Sequence, residues 1–520
     1  VVLYYNYTYA YKPNNFGFVS GGGGGGGGGA VRIAAGGRIS VTEAGKILAN
    51  GGDGSHCMPY SPYNQVYYSM QYYSYTYDQR LSGYTMYPGG GGGGSGGSLW
   101  LQAGGGFDIH GAVDVSGGRG GDGRYYAYYT TIRGDHRGGY GGDGRLRLDA
   151  PETVDPTKGQ NLMGCVAVGT NMAINGGTNK TPWTITGSWT VNTDTGGGAP
   201  TGVTFSGGRF YCADFTVSSG ATLNVTGTSP FIVYSSGDVD ISGTILARGS
   251  NCANQTTNSS YSSSSGFRPY TRSVGANGVA GGGKGGDSAG SNYTSYLQTP
   301  HQGTAGTGVN GVVGGTGAGL VGKPRPFKPW YKYQSTTSYY TYYKYEYYYL
   351  GGGGGGGGSA EAGTYGWNPG HLTSEWYEGD HGTPGKAVIN FDTLSDANIT
   401  GGGGGGGGMM GGYHYNYERI STSTGSVTYT YNYYYGYGWG TGAGGGGGAV
   451  SIKTSGEMDL SGKIDVSGGD GGDRAPTSST YFYYGPGVGG GGGAGNVLLE
   501  AADGFSFDSF EVDATGGEGG

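Results

Sequence analysis

The chain has 520 residues, of which 128 are glycine and 50 tyrosine. Leu, Ile, Val and Phe together make up about 15% of it, too little to fill a large globular core. Its 35 acidic and 28 basic residues form no basic patch, and no apolar stretch reaches 18 residues, which argues against a nucleic-acid partner and against a membrane-spanning helix.

The apolar residues are concentrated in short runs that recur in one frame. Residues 1–20 are rich in tyrosine and lead into nine glycines at 21–29. There follows AVRIAAGGRISVTEAGKILANGGDG at 30–54, which reads as three strands of four or five residues with glycine corners and a closing GGDG turn. The frame returns in SLWLQAGGGFDIHGAVDVSGGRGGDG (98–123), FIVYSSGDVDISGTILARGS (231–250), AVSIKTSGEMDLSGKIDVSGGDGGD (449–473) and NVLLEAADGFSFDSFEVDATGGEGG (496–520). Alternation is plain in the fourth of these. Met458, Leu460, Ile464 and Val466 fall on one face and Glu457, Asp459, Lys463 and Asp465 on the other, the period-two pattern of a strand.

Tyrosine-rich segments lie at 4–11, 60–87, 125–140, 331–349, 413–437 and 481–484, and glycine runs at 21–29, 89–94, 351–358, 401–408, 444–448 and 489–493. The pattern predicts an all-β chain: a β-solenoid, β-helix-like, built of short three-strand coils with long Tyr-rich loops and polyglycine segments inserted at one edge. An antiparallel sandwich or barrel is the alternative, and it calls for two-residue hairpin turns. For the glycine runs two conformations stand open: extended strands, or polyglycine II helices packed side by side with three residues per turn. Residues 1–150 form a first repeat block with the N-terminal Tyr-rich arm. Residues 151–199 break the pattern as a linker or small β subdomain, and 200–520 form a second block with longer Tyr-rich insertions.

The repeat is cut at GGEGG, where a tyrosine segment and a glycine run are due, and the N-terminus holds both. Two readings follow: subunits that stack head to tail into a filament, or one segment of a longer repetitive chain. The residues expected to carry such assembly are Tyr4, Tyr5, Tyr7, Tyr9 and Tyr11 on the arm and Phe505, Phe507 and Phe510 in the last repeat. A start at Val1 without methionine fits a removed leader or a trimmed segment.

Four cysteines, Cys57, Cys165, Cys212 and Cys252, lie outside any CxxC pair, which points to disulfides in an oxidising compartment with three possible connectivities and away from zinc. Asp53, Asp122, Asp143, Asp470 and Asp473, with Asp287, sit in glycine turns. They are the candidate ligands for calcium, the one cofactor considered, set against the plainer reading of Asp stabilising its own turn. The seven histidines are scattered, and no catalytic frame occurs, so no catalytic residue is assigned. Seven N-x-[ST] sequons, at Asn6, Asn179, Asn224, Asn254, Asn258, Asn292 and Asn398, are few more than chance supplies. Fifty phenols offer wide amphipathic contact area at low entropic cost, with Lys328, Lys332, Lys344 and Arg419 among them for cation–π contacts.

The segments at 98–123 and 449–473 resemble secreted glycine-rich repeat proteins of bacteria that are expected to form β-helices. The glycine runs are similar to those of phage tail-fibre adhesins whose tips hold packed polyglycine helices. The long tyrosine segments depart from both families. Three functions are therefore weighed: an extracellular structural subunit of a filament, fibre or sheath that polymerises with itself; an adhesin or receptor-binding tip whose tyrosines meet cell-surface glycans; and a polysaccharide-cleaving enzyme, which needs a carboxylate pair in a groove. The first is expected and the last disfavoured.

Overall fold

A computed structural model describes residues 22–56, 90–121, 138–150, 181–254, 273–288, 303–308, 314–315, 332–337, 340–349, 353–359, 362–363, 385–386, 394–408, 411–421, 429–438, 440–473 and 487–520. Among these there is no helix. The strands, in chain order, are β1 (Ala30–Ala35), β2 (Ile39–Val41), β3 (Lys46–Leu48), β4 (Ser98–Ala103), β5 (Phe107–Ile109), β6 (Ala112–Asp114), β7 (Arg145–Asp149), β8 (Trp183–Ile185), β9 (Ser188–Asn192), β10 (Thr204–Ser206), β11 (Arg209–Cys212), β12 (Phe215–Val217) and β13 (Thr222–Thr226). They continue with β14 (Phe231–Ser235), β15 (Val239–Ile241), β16 (Thr244–Leu246), β17 (Lys332–Thr337), β18 (Tyr340–Tyr349), β19 (Gly411–Ser421), β20 (Tyr429–Gly438), β21 (Ala449–Thr454), β22 (Met458–Leu460), β23 (Lys463–Asp465), β24 (Asn496–Ala501), β25 (Phe505–Phe507) and β26 (Glu511–Asp513).

Three mainly parallel sheets result, of eight, seven and seven strands, in the orders β10-β11-β14-β21-β24-β1-β4-β7, β5-β2-β25-β22-β15-β12-β8 and β6-β3-β26-β23-β16-β13-β9. The first, second and third strands of each repeat go to different sheets. Equivalent positions fall in rows: Val450 pairs with Val497, Val497 with Val31, and Val31 with Leu99. A four-stranded antiparallel sheet, β17-β18-β19-β20, comes from two of the tyrosine-rich segments.

This corrects the fold class expected from the sequence. A β-solenoid winds coil upon coil in chain order, and no closed solenoid is found. The spatial order instead runs from β21 through β24 to β1 and β4, so the N-terminal repeats follow the C-terminal one, and both β10 and the tyrosine strands pair antiparallel. The repeat pattern specifies three strands per unit and their facing, and these survive, although the strands are six, three and three residues long and not four or five each. It does not specify which repeat neighbours which, because every repeat offers the same apolar row and the same register.

The order also changes the meaning of the cut repeat. Ile39 to Val41 pairs with Phe505 to Phe507, and Lys46 to Leu48 with Glu511 to Asp513, all in one chain. Gly26 N donates to Gly517 O at 2.8 Å and Gly519 N to Asp53 O at 3.0 Å. The first repeat therefore stacks on the last within one chain.

One apolar core lies between the three sheets, filled by Val31, Ile33, Ile39, Leu99, Leu101, Ile245, Ile452 and their row-mates. Toward β8 it becomes aromatic: Trp183 lies 5.2 Å from both Phe210 and Phe215, ring centre to ring centre. The turn from β10 to β11 is closed by Gly207 and Gly208 at φ 57° and 77°, the paired positive values of a two-residue hairpin. Phe505, Phe507 and Phe510 belong to the core as well. They are 5%, 1% and 0% exposed, so they cannot form the assembly surface expected of them.

Beside the sheets lies a layer made of the glycine runs. Gly24 and Gly27 donate to Gly354 and Gly357, Gly25 and Gly28 to Gly92 and Ser95, and Gly26 and Gly29 to Gly517 and Ala514. Each neighbour is thus met at every third residue, the repeat of a three-residue-per-turn extended chain. The run at 487–495 shows the full arrangement. It donates to 403–406, 24–27 and 466–469, and accepts from Gly444 and Gly447, from Gly354 and Gly357, and from Gly517 and Gly520. Six chains surround one. Glycine is required because the backbones touch: a Cβ on Gly26 would sit 1.9 Å from Gly492 O, and one on Gly492 would sit 2.1 Å from Gly445 O.

Candidate functional site

The residues after the third strands β3, β6, β16, β23 and β26 run through the glycine layer, and the glycine runs that precede the first strands β1, β4, β21 and β24 run beside them. The hydrogen bonds show that the points where the chain leaves and re-enters this layer lie together, on one rim. Gly91 N donates to Ser55 O at 3.0 Å, Gly121 N to Gly91 O at 2.8 Å, and Gly138 N to Gly121 O at 3.0 Å. Farther along, Gly520 N donates to Gly489 O, Gly408 N to Thr441 O, Gly472 N to Gly442 O, and Ser288 N to Ser273 O. The tyrosine-rich segments at 60–87, 125–140, 413–437 and 481–484 are therefore all rooted on this rim.

A cavity of about 570 Å³ opens there, lined by Asp53, Ser55, His56, Arg119, Tyr140, Asp473 and Glu518 among others. The Tyr140 phenol is 69% exposed beside it. Burial raises the Glu518 carboxyl above its ordinary range, and the nearby charges of Asp470, Asp53 and Asp473 raise it further.

The candidate calcium ligands are engaged otherwise. Asp53 Oδ1 accepts the Arg119 amide at 2.6 Å, Asp143 Oδ1 the Gly117 amide at 3.2 Å, and Asp470 Oδ1 the Glu518 amide at 3.0 Å. Asn251 Oδ1 accepts the Asp470 amide at 3.1 Å and Asn254 Oδ1 the Asp473 amide at 2.9 Å. Asp287 Oδ1 likewise accepts the Gly275 amide at 2.9 Å. In each case the side chain of one glycine segment reaches the backbone of the segment beside it. The role is to tie neighbouring glycine chains together, and no group of three His, Cys, Asp or Glu residues suited to a metal occurs among the described residues. Asp122 lies outside them.

Of the disulfide candidates, Cys212 and Cys252 are buried free thiols, so they are not joined to each other. Burial, aided by Asp214, pushes the Cys212 thiol up to about 12, and burial raises Cys252 too, so neither is poised to react as thiolate. Cys57, Cys165 and Tyr4, Tyr5, Tyr7, Tyr9 and Tyr11 lie outside the described residues.

Sequence reasoning missed the polar face of the eight-stranded sheet. Arg32 and Arg147 flank the Trp100 ring at 4.3 and 4.2 Å, and its indole nitrogen donates to the buried Asp149 at 2.7 Å. Aligned repeats put all three at the third position of the first strand, a signal that was available. A strap at 394–400 crosses the same face. Leu394 and Ile399 pack on Ala30, Ile232, Ala449 and Leu498. Asp396 takes hydrogen bonds from Ser451 Oγ at 2.6 Å and from the Tyr234 hydroxyl, and pairs with Lys453 at 2.9 Å. Lys453 also reaches Glu500 at 2.6 Å. Burial alone would raise the Asp396 carboxyl, but the bonds from Ser451, Tyr234 and Lys453 outweigh it and hold it below its usual range.

The described residues hold no helix long and apolar enough to cross a membrane. Comparison with family models, with curated proteins and with solved structures gives no match for this chain.

Proposed function

We propose that the protein is a non-enzymatic, extracellular display scaffold, an adhesin-like binding protein in which the sheets and the glycine layer hold many tyrosine-rich segments along one rim for contact with cell-surface glycans. The observation that carries this reading is the shared rooting of those segments on backbone that is hydrogen-bonded on several sides. A rigid base lowers the entropic cost of presenting loops, and several weak aromatic contacts on one base add by effective concentration. The filament reading has less support, because the completion it requires between subunits is made between β24–β26 and β1–β3 of one chain.

Replacing every tyrosine of 60–87 by serine tests the proposal on a glycan array. The wild-type chain is expected to bind at least one surface polysaccharide and the variant to lose at least about tenfold in affinity with its melting temperature unchanged. Equal binding by the two would overturn it, as would a wild type that binds no glycan and assembles into continuous filaments under the electron microscope.

A further inference from the structure

The antiparallel sheet β17-β18-β19-β20 pairs with no strand of the three parallel sheets among the described residues. β19 follows the glycine run at 401–408 and β20 precedes the one at 444–448, so the base of this hairpin is hydrogen-bonded into the glycine layer. The register sets tyrosines against tyrosines in one place. Tyr413 opposes Tyr435, Tyr415 opposes Tyr433, and Tyr417 opposes Tyr431. Positions two apart on a strand share a face, so these six residues form one block of three rungs on one face of the sheet.

Abundance of tyrosine alone does not produce this block. The opposite face of the sheet carries Tyr343, Tyr345, Tyr347, Tyr349 and Tyr434, and none of them has a tyrosine opposed or diagonal to it on a neighbouring strand. Tyr343 opposes Glu418 and Gln334, Tyr345 opposes Asn416 and Lys332, and Tyr434 opposes His414. Every cross-strand tyrosine neighbour in the sheet therefore falls on the one face. Opposed residues of an antiparallel pair have Cβ atoms about 4.5–5.5 Å apart, and diagonal ones about 7–8 Å. Along the block the diagonal neighbours are Tyr415 with Tyr431 and Tyr435, Tyr413 with Tyr433, and Tyr417 with Tyr433 and Tyr429.

We infer that this face is a site of oxidative tyrosine coupling, which joins β19 to β20 covalently within one chain. The oxidant is hydrogen peroxide acting through a haem peroxidase. Each of two phenols gives up one hydrogen atom, and the two phenoxyl radicals join through the ring carbons beside their oxygens, forming one carbon–carbon bond. The hydrogens on those two carbons leave as protons while the two oxygens take up protons, so both phenols are restored. Two tyrosines and one hydrogen peroxide thus give one dityrosine and two waters. A bond between those ring carbons holds the two Cβ atoms farther apart than directly opposed positions and close to the diagonal separation, so the diagonal neighbours are the coupling partners. A partner held at that distance in the same sheet outcompetes chance encounter with another molecule in dilute solution. The link ties a hairpin that strand pairing alone holds only marginally, on a base that the glycine layer already fixes. This inference is independent of the glycan reading.

Peptide mapping of the full chain tests this. Trypsin cleaves after Arg419 and so parts β19 from β20. Peptide 387–419 holds Tyr413, Tyr415 and Tyr417 as its only tyrosines, and peptide 420–453 holds Tyr429, Tyr431, Tyr433, Tyr434, Tyr435 and Tyr437. The chain is treated in dilute solution with a peroxidase and hydrogen peroxide, and its monomer fraction is digested. The expected result is that the two peptides stay joined, two hydrogen masses lighter than their sum. Fragmentation is expected to place the bond on Tyr429, Tyr431, Tyr433 or Tyr435 at least about tenfold more often than on Tyr434, and treatment in denaturant is expected to abolish that preference. Tyr429→Phe, Tyr431→Phe, Tyr433→Phe and Tyr435→Phe, made together, are expected to lower the joined product at least about tenfold, whereas Tyr434→Phe leaves it unchanged. Two separate peptides from the treated monomer overturn the inference, as does a bond found on Tyr434 as often as on its neighbours. A preference that survives denaturation also overturns it. These three outcomes are read on the unmodified chain and decide the matter even where the fourfold variant does not fold.

Discussion

Replacing Gly492 with alanine is expected to destabilise the protein by about 3 kcal/mol or more, at the top of the range for overpacking. The new methyl would lie 2.1 Å from Gly445 O and 2.6 Å from its carbonyl carbon. Both are backbone atoms fixed by their own hydrogen bonds, so no side-chain rotation relieves the clash. Gly492 also donates to Gly469 and accepts from Gly517, so a shift of its chain disturbs both neighbours. Alanine normally favours the folded state over glycine by restricting the unfolded chain, which makes a large loss informative. Chemical denaturation of the variant beside wild type measures it, and a loss below about 1 kcal/mol would mean that the run is not enclosed.

Lys453→Met is the second large effect. Lys453 is 15% exposed and sits between Asp396 and Glu500, themselves 10% and 11% exposed. Removing it leaves the buried Asp396 without its cation and Glu500 with Arg32 alone, at 3.9 Å, a loss of about 3 kcal/mol near neutral pH. The effect depends on pH in a definite direction. In the wild type Asp396 is held below its usual range, so its stabilisation is present above the ordinary carboxylate pKa and is lost as pH falls through the lowered value. Without Lys453 burial weighs more heavily and the carboxyl moves up. The gap between variant and wild type is therefore widest above about pH 6 and narrows toward about pH 4 as the Asp396 carboxylate protonates. A gap that stays constant or widens on acidification would show that Lys453 acts through packing alone.

Strand positions and facing were legible in the sequence because period two and glycine corners are local signals. Met458 and Leu460 point inward and Asp459 outward, as their alternation implied. The succession of repeats was not legible. Val31, Leu99, Val450 and Val497 are interchangeable as row-mates, so alignment cannot tell that β1 follows β24 and not some other repeat. The roles of Phe505, Phe507 and Phe510 were misjudged for the same reason: a strand that ends the alignment looks exposed until another repeat covers it. The strap at 394–400 carries no repeat signal, and its partners Tyr234, Ser451 and Lys453 come from distant repeats, so only the fold brings them together. The aspartates of the glycine turns were visible, but their partners are backbone amides of neighbouring chains, which leave no mark on the sequence.

The central claim is that the glycine runs are an ordered, enclosed layer on which the tyrosine-rich segments are rooted. Native-state amide exchange measures it most directly, because a glycine amide that donates to a neighbouring chain exchanges only when that chain opens. The account predicts that Gly24–Gly29, Gly402–Gly408, Gly444–Gly448 and Gly490–Gly493 are protected as strongly as the strands β1, β21 and β24. Exchange of these glycines at the rate of an unstructured linker would contradict it.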